Sequence, residues 1–214
     1  MSNKNLVDLI RTRSVYYLEK KPRDERVLEA MSRVDRKDFL PELSKNFAYK
    51  DSPIPIGFNQ TCSQPSMVAF YMDILNIKPG NKILEIGSGC GYASAVASLL
   101  CRPGGEVYAV EIVKELAELS RTNLSPYMEN IAIFEKDGSV GLKKHSPYDR
   151  IFLSAGVNLS RFNENILLEQ LNVDGILVYP ECYGNLFKIT KRKGRLEKET
   201  FYGVSFVPLK GENA

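Results

Sequence analysis

Acids closing apolar runs, alternating glycines and a hydroxyl ahead of a helix are the residues of this 214-residue chain that can do chemistry. In Lys82-Ile83-Leu84-Glu85-Ile86-Gly87-Ser88-Gly89-Cys90-Gly91-Tyr92 a short apolar run carries Glu85 into three glycines at alternate positions. Such glycines let the backbone turn sharply and leave room for a ligand to lie against it. Glu111 closes Val107-Tyr108-Ala109-Val110 about twenty residues further on, the place where an acid hydrogen-bonds ribose hydroxyls in nucleotide sites. Asp137-Gly138 follows a third run, Ile131 to Phe134, where a purine amino group can be read; taken alone Asp-Gly is merely a turn. Ser63, in Gln60-Thr61-Cys62-Ser63-Gln64-Pro65, stands at a helix start. Its hydroxyl either caps that helix or, beside exposed N–H groups, holds a carboxylate. Both readings stay open on spacing alone.

The elements that must position these groups follow from the patterns around them. An apolar strand, the glycine turn and the alanine-rich run Tyr92 to Leu100 make the first crossover of a nucleotide-binding α/β sheet. A dinucleotide site wants G-x-G-x-x-G. The spacing here is G-x-G-x-G, preceded by Leu-Glu-Ile, the arrangement seen in S-adenosylmethionine-dependent methyltransferases, with a purely structural turn as the alternative. Ahead of it, residues 5 to 32 carry two helical patterns separated by Lys20-Lys21-Pro22. Leu6, Leu9, Ile10, Arg13 and Tyr17 share the first, and Asp24 caps a second whose apolar face is Val27, Leu28 and Met31. An irregular stretch then runs to Asn59. Asp51 to Pro65 holds three prolines and a glycine, so it is a fixed loop rather than a helix or central strand. Met67, Val68, Tyr71, Met72 and Leu75 share the face of the helix after it. Further strands are expected at Glu106 to Glu111, Ile131 to Phe134, Tyr148 to Leu153 and Gly175 to Tyr179, with helices at 113–123 and 164–171. Leu186 to Lys191 and Leu196 to Val207 close the chain as an antiparallel pair around the basic turn Lys191-Arg192-Lys193-Gly194-Arg195. The sum is one mixed sheet of about seven strands with flanking helices.

Composition bounds the function. A hydrophobic fraction of 43% and a charged fraction of 26% are those of a globular protein. Net charge of +3 is too small to argue for nucleic acid. No apolar run reaches membrane-spanning length and Met1-Ser2-Asn3-Lys4-Asn5 is not a signal peptide, so a cytoplasmic location is expected. Four cysteines without a C-x-x-C pair and a single histidine exclude a structural zinc site. His145, in Lys143-Lys144-His145-Ser146-Pro147, reads as an exposed bystander. The cysteines read as reduced and buried, with Cys62 the exception.

From the second helix to Phe206-Val207-Pro208-Leu209 the chain resembles the protein-L-isoaspartate (D-aspartate) O-methyltransferases. Phe39-Leu40-Pro41, Pro53-Ile54-Pro55-Ile56-Gly57 and Gln60-Thr61-Cys62-Ser63-Gln64-Pro65 are the most specific matches. Leu84 to Tyr92, Asp137-Gly138, Pro147-Tyr148-Asp149, Gln170-Leu171 and Val204 to Leu209 add to them. The resemblance implies a class I, Rossmann-like methyltransferase, a single domain over 1–214 in which 1–60 is a substrate-side extension and 61–214 the cofactor-binding core. It implies transfer of a methyl group from S-adenosyl-L-methionine to the free α-carboxylate of L-isoaspartyl residues in damaged proteins and peptides, with D-aspartyl acceptors left open. Repair then proceeds through a succinimide. By the same resemblance Ser63 lies beside the substrate carboxylate and Thr61 shapes that pocket. Glu85, Gly87, Ser88, Gly89, Glu111, Ile112, Asp137 and Gly138 correspond to cofactor positions. No metal, nucleic-acid or membrane partner is implied, and a monomer is expected. Cys62 replaces a usual isoleucine, Lys136 a usual glycine before Asp137, Asp174-Gly175 a usual Gly-Gly, and Ser154-Ala155-Gly156-Val157 the usual small-residue run. Lys136 and residues 154–157 adjoin the expected adenine and substrate sites.

A carboxylate is ionised near pH 7, so its methylation needs no general base, which suits a chain with one ill-placed histidine. Two rival readings remain: a relative retargeted to another peptide carboxylate, and a non-catalytic S-adenosylmethionine-binding adaptor. A nicotinamide dehydrogenase fails on glycine spacing.

Overall fold

A computed structural model describes residues 2–12 and 24–214. The helical pattern at Arg13 and Tyr17 and the break at Lys20-Lys21-Pro22 lie outside the described residues. Helix α1 (Asn3–Thr12) buries Leu6, Val7 and Ile10, and the Asn3 amide donates to the Met31 carbonyl at the end of α2 (Glu25–Arg33). Asp24 caps α2 as its position suggests, accepting the Arg26 N–H at 3.0 Å.

The stretch expected to be irregular holds a strand pair. After two 3-10 turns (Arg36–Phe39 and Glu42–Phe47), β1 (Ile54–Gly57) and β2 (Gln60–Cys62) form an antiparallel hairpin apart from the main sheet. Two strands with no further neighbour do not need every N–H, so the prolines are tolerated there. Phe58 and Asn59 turn the hairpin with φ of 53° and 57°, the left-handed pair that such two-residue turns require.

Helix α3 (Pro65–Leu75) is followed by β3 (Lys82–Ile86), α4 (Tyr92–Cys101), β4 (Glu106–Glu111), α5 (Lys114–Leu124), β5 (Ile131–Glu135) and β6 (Tyr148–Leu153). A single turn, α6 (Asn165–Leu168), leads into β7 (Leu171–Pro180), β8 (Tyr183–Arg192) and β9 (Arg195–Ser205). The sheet order is β5-β4-β3-β6-β7-β8-β9, parallel through β7 and antiparallel thereafter. Because β3 is flanked by β4 on one side and β6 on the other, the chain reverses direction of winding at its carboxyl end, where such sheets open a crevice for ligands. Ile83, Val107, Phe152 and Val178 pack on the face shared with α3 and α4; Leu84, Val110, Ile151 and Leu177 pack on the other.

Several boundaries differ from expectation: β8 begins at Tyr183 rather than Leu186 and β9 ends at Ser205 rather than Val207, and the larger changes lie around β7. The helix expected over 164–171 is four residues long, and β7 begins at Leu171 rather than Gly175. Asp174, at φ 62°, absorbs a bulge that shifts the register between Tyr148 opposite Leu171 and Arg150 opposite Ile176. His145 is half-buried rather than exposed, its ring 4.8 Å from Tyr108 and 5.1 Å from Phe134. The basic turn at 191–195 is the expected hairpin, with Arg192 and Arg195 both paired to Glu197. Among the described residues no helix is long and apolar enough to cross a membrane.

Candidate active site

The carboxyl ends of β3 and β4 build the site. Gly87, Gly89 and Gly91 take φ of 82°, 54° and 88°, and a Cβ on Gly91 would meet Leu124 at 2.8 Å. Only glycine fits there without strain. The turn closes on itself through Gly91 N–H to Ser88 O (2.8 Å) and is tied to the next strand through Gly87 N–H to Val110 O (2.8 Å). Glu111 ends β4 with one oxygen accepting the Gly89 N–H at 2.8 Å and the other the Val113 N–H at 3.0 Å. This bridge fixes the glycine turn against the strand end.

Glu85 is fully buried and accepts hydrogen bonds from the Ser94 hydroxyl and, at 2.7 Å, the Ser154 hydroxyl. Burial pushes its carboxyl up to about 7 against the pull of those two hydroxyls, and the charge of Glu111 adds to the rise. Neither Glu85 nor Glu111, only 5% exposed, forms an ion pair among the described residues. The Ser88 hydroxyl is buried beside them with no partner. Two buried acids without a protein cation and one orphaned hydroxyl suit a cationic, hydrogen-bonding ligand. They fit S-adenosylmethionine, which carries a sulfonium and an ammonium.

These groups line a cleft of about 710 Å³ together with Gly87, Gly89, Ile112 and Gly138, and with Thr61 and Ser63 from the hairpin side. A groove of about 1020 Å³ adjoins it between Pro53, Tyr183 and the segment Ser205 to Pro208, and an apolar recess of about 260 Å³ reaches Tyr71 and Phe206. Ser63 and Ser154 border all three spaces.

Ser63 does not cap α3. The N-cap position is Gln64, and the free N–H of Ser66 is taken by Asp51 at 2.9 Å. The Ser63 hydroxyl makes no hydrogen bond among the described residues, while its carbonyl is held by Arg36 Nη2 at 3.0 Å. Arg36 is fully buried and also donates to the carbonyls of Ala48, Lys50, Ser52 and Cys62. One guanidinium thus gathers the loop that presents Thr61 and Ser63.

Asp137 stands apart from the cleft lining. Its oxygens accept the Ser139 N–H and the Glu212 N–H, each at 2.8 Å, so it anchors the end of the chain. Each oxygen keeps a second lone pair. Cys62, set apart from the other cysteines on sequence, is buried like Cys90 and Cys101. Asp51 and Arg36 went unremarked in sequence, and so did Val207 to Lys210 as cleft lining. Arg36 sits in the charged run Asp35-Arg36-Lys37-Asp38, which looks like any solvated turn; Ser154 alone among the additional groups carried a signal, as a departure from the small-residue run.

A family model described as Protein-L-isoaspartate(D-aspartate) O-methyltransferase matches residues 2–214. Among curated proteins, the Protein-L-isoaspartate O-methyltransferase of Methanococcoides burtonii is 45% identical over 193 residues, spanning 88% of this chain and 94% of its own. That of Thermosipho melanesiensis is 41% identical over 86% of this chain and 93% of its own. Among solved structures, a protein-L-isoaspartate O-methyltransferase from Plasmodium falciparum in complex with S-adenosyl-L-homocysteine superposes with a TM-score of 0.83 at 28% identity over the full length of both chains.

Proposed function

The chain belongs to the protein-L-isoaspartate(D-aspartate) O-methyltransferase family, and from that membership we infer its reaction and the role of each residue in the cleft. It is an S-adenosyl-L-methionine-dependent enzyme that esterifies the free α-carboxylate of L-isoaspartyl residues in proteins and peptides. When bound, the cofactor would supply an electrophilic methyl group, taken up by the acceptor carboxylate with S-adenosylhomocysteine as the leaving group.

The residues of this chain hold, orient and dry the reactants. Glu85 and Glu111 supply the negative charge that a cationic cofactor needs, Glu111 at the end of β4 where ribose hydroxyls are bound. Ser88 offers its unpartnered hydroxyl, and Gly87, Gly89 and Gly138 let the backbone lie close to the ligand, with Ile112 covering it. Asp137 keeps a lone pair on each oxygen for a purine amino group.

On the acceptor side, Ser63 donates to the carboxylate and aims one of its oxygens, while Thr61 shapes the wall. The observation that carries this reading is the free Ser63 hydroxyl at the junction of cleft, groove and recess, relieved of capping by Asp51. No proton has to move, because the acceptor is already ionised. Orientation and exclusion of water are the whole of the protein's contribution, and orientation of this kind supplies on the order of 7–11 kcal/mol. The methyl ester closes to a succinimide whose hydrolysis restores some normal aspartate without further help from the enzyme.

A radiolabelled-methyl assay with paired peptides of one sequence, isoaspartyl and aspartyl, tests the reading. Label should enter the isoaspartyl peptide alone. Equal labelling of both, or of a different carboxylate, would point to a retargeted enzyme; cofactor binding with no labelling of any peptide would make the protein an adaptor.

A further inference from the structure

The apolar recess of about 260 Å³ lies beside Ser63, the residue at the acceptor carboxylate. Met67, Tyr71 and Met72 of α3 line it with Phe152 of β6 and Phe206, and these five stand outside the lining of the cofactor cleft. Ser63 and Ser154 border the recess, the cleft and the groove of about 1020 Å³ alike, so a peptide seated at Ser63 has the recess at its side. Neither recess nor groove has a charged side chain in its lining, in a chain of which 26% is charged. Granted the methyl-transfer reading, on which this rests, we propose that the recess receives an apolar side chain of the residue preceding the isoaspartyl residue. The enzyme then selects damage sites that have such a neighbour.

The lining decides the chemistry of the occupant. Beyond Ser63 and Ser154 its only polar side-chain atom is the Tyr71 hydroxyl, which is buried without a partner. A peptide N–H or carbonyl carried into such a place would give up water for little in return, and a charged side chain would lose more. An aliphatic or aromatic side chain gains by the same transfer. The walls also adapt. Met67 and Met72 are unbranched thioethers, which fill irregular spaces readily. The Tyr71 ring is held by packing, 5.7 Å from the ring of Phe206 and 6.5 Å from that of Phe152, with no hydrogen bond to fix it. Side chains as different as leucine and phenylalanine can therefore use one recess.

The connectivity of an isoaspartyl residue selects which neighbour enters. Its free carboxylate and its nitrogen sit on the same carbon, so the preceding residue joins directly beside the reacting group. The following residue joins through the side-chain carbonyl, beyond the extra backbone methylene, and its α-carbon lies one bond further from the carboxylate. With the carboxylate held at Ser63, the preceding side chain is the one that stays nearest to the recess. The rest of the peptide is left to the uncharged groove, which has no charge with which to favour or reject it.

Isoaspartyl peptides identical except for the preceding residue, which is alanine, leucine, phenylalanine or aspartate, test the assignment with the full-length protein and radiolabelled S-adenosyl-L-methionine. Leucine and phenylalanine should raise kcat/KM at least about tenfold over alanine, the scale set by filling a hydrophobic pocket, and aspartate should rank last. The same four residues placed after the isoaspartyl residue should leave kcat/KM nearly level. Met72→Phe, which fills the recess, should collapse the ratio of leucine to alanine, and Met67→Ala, which widens it, should move the preference from leucine to phenylalanine. Calorimetry with S-adenosylhomocysteine reports whether each variant is folded, and the wild-type peptide series decides the matter even where one is not. A level kcat/KM across the preceding residues, or a preference carried by the following residue, overturns the assignment. So does weaker S-adenosylhomocysteine binding in both variants with the peptide ratio unchanged, which would give the recess to the cofactor. Protein that bound S-adenosylhomocysteine and labelled none of the isoaspartyl peptides would instead remove the methyl-transfer reading, and the peptide preference with it.

Discussion

Replacing Glu85 with glutamine should make the empty protein more stable at alkaline pH and hardly at all in mild acid. The carboxyl of Glu85 is fully buried with a pKa of about 7, against an ordinary 4.5 in the unfolded chain. The folded state therefore holds a proton that the unfolded state has already lost between those two values. Where the folded state binds more protons, stability falls as pH rises. The favourable contribution is complete below 4.5 and is gone once pH passes about 7. At about 1.4 kcal/mol per pKa unit the loss sums to roughly 3 kcal/mol, of which about 2.5 kcal/mol falls between pH 5 and pH 8.5. A glutamine is neutral throughout, accepts from one serine hydroxyl and donates to the oxygen of the other, so it carries none of this pH dependence. For a chain of this size the difference corresponds to roughly 5–10 °C in midpoint. Thermal unfolding of wild type and Glu85→Gln without cofactor, from pH 5 to pH 8.5, measures it: the two curves should lie close together at pH 5 and diverge steadily above. Parallel curves would show that Glu85 is not protonated in the empty protein, and the electrostatic account of the cleft would fall with them. The same proton should be expelled when a cationic cofactor binds at pH 7. Calorimetry in buffers of differing ionisation enthalpy should register proton release in wild type that exceeds release in the variant.

Ser63→Ala should lower turnover on the order of 100-fold, the cost of losing one oriented donor, while S-adenosylhomocysteine still binds; unchanged turnover in the methyl-transfer assay would leave the hydroxyl without a role. Glu111→Ala removes both the anchor of the glycine turn and the acceptor at the strand end, so cofactor affinity by calorimetry should fall about tenfold to 100-fold. Asp51→Ala takes the cap from α3 and should cost about 1 kcal/mol, or roughly 2–4 °C in midpoint; a midpoint equal to that of wild type would mean the Ser66 N–H is satisfied some other way.

The sheet was legible wherever a strand is apolar on both faces and bounded by turn residues. Glu106 to Glu111 and Tyr148 to Leu153 are such strands and match residue for residue. The β1–β2 hairpin was hidden because Pro53 and Pro55 argue against a strand unless its N–H groups have no partner to find, which is a fact about neighbours. Leu167, Leu168 and Leu171 sit at helical spacing, yet Leu171 already belongs to β7, because pairing with Tyr148 outweighs a last half-turn of helix. Most of the cofactor-side lining was readable for the same reason as the strands, because Glu85, Glu111 and the glycines are tied to strand ends, whereas Asp137 lies outside the cleft lining. The acceptor side was not. Whether Ser63 caps α3 depends on Asp51, twelve residues earlier in the chain and brought near only by the fold. Arg36 looks solvated in a sequence run of four charges and becomes buried only when carbonyls from two separate stretches, 48–52 and 62–63, converge on it.

Those two features make one electrostatic design. The protein buries a cation, Arg36, and two carboxyl groups, Glu85 and Glu111, in neighbouring parts of one site and yet does not pair them with one another. Pairing Arg36 with Glu85 would offset part of the desolvation cost on each, and a cationic ligand would then have to break the pair to bind. Instead the guanidinium spends its hydrogen bonds on carbonyls of the acceptor loop, at Ala48, Lys50, Ser52, Cys62 and Ser63, and fixes where the Ser63 hydroxyl stands. The acids are held by serines and backbone amides, which orient them without an opposing charge. The empty protein is less stable for it, and the stability missing from the empty cleft reappears as affinity for whatever positive charge fills it. A stabilising Glu85→Gln substitution that left cofactor affinity intact would separate the two quantities and break that equivalence.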